Sequence, residues 1–92
     1  MTVDTFLNLL KNVVDKNKPL TYSRFTETIF TVDYLHTYKD TVYLCVGTLN
    51  RLNIRDIAVY LLNSKSTHKV MIVRPLGGFI NIKDISNIGL IT

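Results

Sequence analysis

The sequence predicts an α+β domain in which an N-terminal helix and a second, shorter helix pack on a four- to five-stranded antiparallel sheet built from two hairpins. Three observations predict it. Apolar residues recur at helical spacing near the N-terminus and again between Asn53 and Asn63. From Thr21 to Gly47 the pattern changes to period two. Near the C-terminus, Pro75 to Gly78 supplies a chain reversal between two β-rich runs. With 92 residues, 47% hydrophobic and 20% charged, the chain has enough apolar surface to fold around one core and too little length for two. Residues 1–92 are therefore expected to form a single small globular domain.

The first helix is expected over Asp4 to Lys16. Val3, Phe6, Leu9, Leu10, Val13 and Val14 form one apolar stripe. Thr2 is a suitable N-cap, Asp4 favours the positive end of the helix dipole, and Asn17 and Pro19 stop the helix. Next, Phe30, Val32 and Tyr34 alternate with Thr31 and Asp33, His36 to Asp40 reads as a polar turn, and Val42, Leu44 and Val46 alternate with Tyr43 and Cys45. That is a hairpin of β-branched and aromatic residues. Tyr22 to Glu27 is compatible with a short helix instead. Ile54, Ile57, Ala58, Leu61 and Leu62 fit a helix face, with Asn53 as cap and Asp56 at N3, although Val59 and Tyr60 also favour strand. Agreement of cap and period selects the helix. Val70 to Val73 and Phe79 to Lys83 form the second hairpin about Gly77 and Gly78. The tail with Ile85, Ile88, Leu90 and Ile91 is expected to add a last strand to a sheet edge, here or in a second copy.

Eleven Lys and Arg against seven acids give a net charge of +4, but the cations are scattered rather than clustered. Solubility explains that charge as readily as phosphate binding does. The chain has one alanine, one glutamate and no tryptophan, and is rich in Ile, Asn, Lys, Thr and Tyr. Such a composition suits an AT-rich genome of the kind found in viruses and phages. No apolar run reaches the roughly 18 residues of a spanning helix, and no basic-then-apolar leader opens the chain. One cysteine, Cys45, leaves no internal disulfide. Together these set the expectation of a soluble, cytoplasmic protein that does not enter membranes.

The inventory for catalysis is thin: Cys45, His36, His68, six Asp and one Glu. With His36 in a turn and Cys45 on a strand, the two sit at different levels of the sheet, and a strand cysteine usually packs as a small hydrophobe. Asp33 and His36, three apart on a strand, point to opposite faces and make no metal pair. Gly77-Gly78 lacks the spacing of a phosphate-binding loop. No catalytic residue, cofactor or metal is therefore expected.

The aromatic residues Tyr22, Phe25, Tyr34, Tyr38, Tyr43 and Tyr60 recur among Lys and Arg. Tyrosine and arginine anchor protein interfaces, and aromatics with cations also stack single-stranded bases. The leading expectation is a non-enzymatic regulatory module that binds a protein partner through Tyr34, Tyr38, Arg51 and Arg55, with self-association through the C-terminal tail. The alternative is nucleic-acid binding through Arg51, Arg55, Lys69 and Arg74. The order of a helix followed by a basic hairpin resembles, in outline only, the recognition helix and wing of a winged-helix domain. That resemblance implies Arg51 and Arg55 at the start of the recognition helix and Lys69 and Arg74 on the wing to reach phosphates, but Asn53 to Asn63 offers few polar groups to read base edges. A small RNA-binding barrel is the other form considered, from an N-terminal helix and a strand ending at Gly47-Thr48-Leu49. The later part of that pattern is missing, and no family is recognised.

Overall fold

The first helix, α1 (Val3–Lys11), starts where the sequence predicts: the Thr2 hydroxyl accepts the Thr5 N–H. The computed structural model describes residues 1–23 and 28–92. Val3, Phe6 and Leu10 form the buried stripe. The helix stops at Asn12, short of the expected Lys16, because the chain turns back there. The Lys16 ammonium donates to the carbonyls of Leu10, Lys11 and Val13, capping the negative end of the helix. Val14, expected in the apolar stripe, is consequently left in solvent.

After α1, the strands are β1 (Thr21–Tyr22), β2 (Phe30–Tyr38) and β3 (Thr41–Gly47). The expected short helix at Tyr22 to Glu27 falls mostly on residues 24–27, outside the described residues, and Tyr22 itself is in β1. The second helix, α2 (Ile54–Leu62), forms as predicted. Asn53 and Asp56 exchange side-chain-to-backbone hydrogen bonds in a capping box, and Ile54, Ile57 and Leu61 are buried. The remaining strands are β4 (Lys69–Val73), β5 (Phe79–Asn81), β6 (Asp84–Ser86) and β7 (Gly89–Ile91).

These strands correct the expected sheet. Instead of four or five antiparallel strands in two hairpins, the described residues form one seven-stranded mixed sheet, in the order β5-β4-β3-β2-β1-β7-β6, curled into a half-barrel. The two expected hairpins exist, but α2 is a crossover that lays β4 parallel beside β3 and so fuses them into one sheet. A second parallel pair joins β1 to β7. The tail lies at a sheet edge as expected but forms two strands there instead of one: β7 pairs with β1 on one side and with β6 on the other, and β6 is the edge strand.

The curl follows from chain length. Laid flat, seven strands would separate the outermost ones by roughly 29 Å. Yet β5 and β6, at opposite ends of the strand order, are joined only by Ile82 and Lys83. Three Cα steps reach at most about 11 Å. The sheet must bend to bring its ends together, and Ile82 is buried at that seam. Val32, Val42, Leu44, Val70 and Ile72 face one side of the sheet and form a continuous core with the buried stripes of both helices. The Tyr60 hydroxyl on α2 meets the Thr37 hydroxyl of β2 at 2.8 Å on that same side. The opposite face of β2 to β5 carries neither helix.

Because Asn53 supplies the acceptor for the Asp56 N–H at 2.8 Å, Asn53→Ala is expected to destabilise the protein by about 1 kcal/mol. Urea unfolding followed by circular dichroism measures it, and an unchanged midpoint would refute the role of the cap.

Candidate functional site

A single bulge decides which side chains occupy the uncovered face of the sheet. Val32 lies opposite Val46, but the next pair in the register is Tyr34 with Cys45, so Asp33 is the extra residue in β2. Strict alternation, as read from the sequence, places Tyr34 on the same face as Val32. With the bulge, Tyr34, His36 and Tyr38 turn outward while Leu35 and Thr37 face the helices. The hairpin turn also shrinks to Lys39 and Asp40, with Lys39 at φ 53°, so His36, Thr37 and Tyr38 belong to β2 rather than to the expected turn.

The Asp33 side chain holds this bulge. It is buried, and one carboxylate oxygen accepts the N–H groups of Leu49 and Asn50, each at 2.9 Å. The Asn50 side-chain amide donates back to the Asp33 carbonyl at 3.0 Å. Gly47 makes room for the carboxylate: a Cβ there would lie 2.2 Å from Asp33 Oδ2. Asp33 is thus committed to a loop and is no partner for His36, and no cluster of three or more metal-ligating side chains exists among the described residues.

Strand register then arranges the open face in rows. One row runs Tyr34, Cys45, Val73, Phe79, and the next runs His36, Tyr43, Met71, Asn81. A third pairs Tyr38, Thr41 and Lys69. The first two rows, with Tyr38, surround a shallow open cavity of about 390 Å³ lined by Tyr34, His36, Tyr38, Tyr43, Cys45, Val73 and Phe79. Tyr34 and Tyr38 are each 58% exposed and Phe79 is 64% exposed. The Tyr43 and Phe79 rings pack at a centroid distance of 5.3 Å, and Lys39 Nζ sits 5.5 Å from the centroid of the Tyr38 ring. This aromatic surface was only half visible in the sequence, because Tyr43 reads as ordinary sheet packing and Phe79 as one residue of a hairpin.

Cys45 and His36 sit at different levels of the sheet, as expected, but in adjacent rows that line the same cavity. His68 is elsewhere. It lines a separate depression with Thr37, Tyr60, Asn63, Ser64 and Lys65, and its Nδ1 is buried with no hydrogen-bond partner among the described residues. The direct neighbour of Cys45 is Tyr34. Interaction with the Cys45 thiol beside it, first as a hydrogen-bonding partner and then as a charge, holds the Tyr34 phenol above its ordinary pKa, with slight desolvation and the charge of Asp33 adding to it. The backbone N–H groups beneath the cavity belong to the sheet ladder, so the chemistry of this face is that of its side chains: aromatic rings with their phenol groups, the His36 imidazole and the Cys45 thiol.

The residues expected at a binding surface separate here. Tyr34 and Tyr38 lie on the open face. Arg55 is exposed on α2, in the layer across the sheet from them, and Arg51 is in the β3–α2 loop at φ 52°. Of the cations expected to contact nucleic acid, Lys69 shares the open face with Met71 and Val73 by alternation along β4. Arg74 follows β4 and accompanies the β4–β5 turn, its N–H donating to the Gly78 carbonyl at 3.1 Å. Gly77 and Gly78 form that turn with φ of 96° and 93°, as their sequence predicts. The winged-helix outline does not carry over, since α2 buries Ile54, Ile57 and Leu61 as a crossover between parallel strands. No protein-family model, curated protein or solved structure matches this chain.

Two outcomes follow. Asp33→Ala is expected to cost about 1–3 kcal/mol by stripping two part-buried N–H groups of their acceptor, and Gly47→Ala a similar amount by overpacking. In denaturant unfolding the double variant should lose less than the two losses added together, because the first substitution removes the atom that the second strikes. Additive losses would refute the coupling. Separately, Cys45→Ala is expected to lower the pKa of Tyr34, read by NMR of ring-labelled tyrosine during a pH titration. A raised phenol pKa in the folded state means that the contact's stabilisation is present below the ordinary phenol range and is lost as pH rises through the raised value.

Proposed function

We propose that this chain is a non-enzymatic binding module and that its binding surface is the open face of β2 to β5. The observation that carries the reading is the contiguity of Tyr34, Tyr38, Tyr43 and Phe79 on a sheet face that neither helix covers. Exposed apolar side chains scattered singly need no explanation, but a continuous aromatic patch bordered by polar groups marks a contact surface. Aromatic rings are also effective anchors, because they bring large contact areas with few rotatable bonds.

Of the residues the sequence nominates for a protein partner, Tyr34 and Tyr38 belong to this surface and Arg55 does not. Tyr43 and Phe79 take the place of the arginines at its centre. A cytoplasmic setting accords with the reading, since Cys45 is a free thiol and a reducing compartment keeps it so. Among the described residues, no helix is long and apolar enough to cross a membrane. The provenance suggested by composition plays no part in the proposal.

The competing surface is the outer side of α2, where Val59 and Leu62 are 54% and 71% exposed beside Arg55. The two are separated by placing a photo-crosslinking phenylalanine derivative at Tyr38 or at Leu62 and irradiating cells that express the protein. Adducts from position 38 and few from position 62 are expected. Adducts mainly from position 62 would move the binding surface to α2 and overturn the proposal.

A further inference from the structure

Resting on that binding-face reading, we infer that its occupant is single-stranded nucleic acid, with bases stacked on the aromatic rows and phosphates held by cations at their ends. The argument is one of charge and shape. In β2 to β5 and the two turns that join β2 to β3 and β4 to β5, the carboxylates are Asp33 and Asp40. Asp33 is buried and hydrogen-bonded within its loop, and Asp40, at the turn, accepts the Thr41 hydroxyl at 3.1 Å. Against them stand Lys39 and Lys69 at one end of the aromatic rows and Arg74 at the other. Register puts Lys69 level with Thr41, and Arg74 follows Val73, which is level with Cys45. Cations thus bracket the rings over four to five residues of strand, roughly 13–17 Å.

That arrangement suits a chain carrying alternating rings and negative charges. Protein interfaces concentrate aromatics but are depleted in lysine, whereas surfaces for single strands combine stacking rings with a positive track along the backbone. A duplex fits poorly, because its bases are already stacked on one another and would have to unstack to lie on the rings. Stacking is tolerant of sequence and of sugar, so DNA and RNA strands are both ligands by this chemistry. The overall charge of +4 acts in the same direction.

The test is fluorescence anisotropy with labelled single-stranded DNA, single-stranded RNA and duplex DNA of mixed sequence, at about 50 and 200 mM salt. Both single strands are expected to bind more tightly than the duplex. Phe79→Ala and Tyr34→Ala, which remove exposed rings and leave the core intact, should each weaken binding by roughly 5- to 100-fold. Tyr43→Phe should retain affinity where Tyr43→Ala loses it. Lys69→Gln should reduce the slope of log affinity against log salt by about 0.7, while Arg55→Ala on the far side changes nothing. Thermal unfolding of each variant separates lost binding from lost fold. No binding of either single strand at low salt overturns the inference, as does binding that survives Phe79→Ala but falls with Arg55→Ala. If it fails while position 38 still crosslinks to a protein, the binding face stands and its occupant is a protein. If position 38 yields no adduct and the strands do not bind, both readings fall together.

Discussion

The carboxylate of Asp33 is the interaction on which the outer surface of this protein depends. By accepting two backbone N–H groups from the loop after β3, it makes one extra residue in β2 tolerable. A bulge is costly unless the unpaired residue finds partners, and here the partners come from a loop that is itself satisfied by the exchange. The Asn50 side chain completes the arrangement, and Gly47 leaves the space for it. The benefit appears several residues away: every side chain from Tyr34 to Tyr38 changes face. Leu35 and Thr37 are delivered to the helices, and two tyrosines and a histidine are delivered to the open side. One buried acid therefore organises both the packing of the hairpin and the composition of its exposed face.

The second constraint is connectivity. A two-residue link between the outermost strands bends the sheet, and the bend gives the two faces different fates. One is filled by α1 and α2 and becomes the core. The other keeps its rows of side chains in solvent, held at strand spacing by the ladder beneath them. Rigid elements hold side chains in place better than loops do, so rings borne on β2, β3 and β5 of one sheet form a pre-arranged surface. The parallel pairing of β3 with β4 completes it by bringing Val73 and, through β5, Phe79 beside Cys45 and Tyr43.

Much of the architecture was legible in the sequence because its causes are local. The Thr2 cap and the stripe of Val3, Phe6 and Leu10 specify α1, and the capping box of Asn53 and Asp56 decides helix over strand for α2 despite Val59 and Tyr60. Gly77 and Gly78 specify a reversal because they adopt positive φ without strain. The candidate site was less legible. Tyr34 and Tyr38 stood out by residue type, whereas Tyr43 and Phe79 became members only through pairing across β3, β4 and β5. The arginines that composition nominated went elsewhere, because Arg55 follows the buried Ile54 into a helix on the opposite layer.

The chain by itself determined where its helices begin, where its hairpins turn, and that apolar faces exist to be buried. Each of these rests on contacts within a dozen residues, where the energetic preference is written in neighbouring side chains. Tertiary structure alone decided that the two hairpins join through a parallel pairing of β3 with β4, that the tail pairs with β1, and that Asp33 is a bulge. Strand pairing depends on which backbone edge is available when distant segments meet, and the faces of β2 depend on a loop sixteen and seventeen residues further on. A period-two pattern carries no mark of the residue at which its register will slip, so the face that this protein presents could be settled only by its folded neighbours.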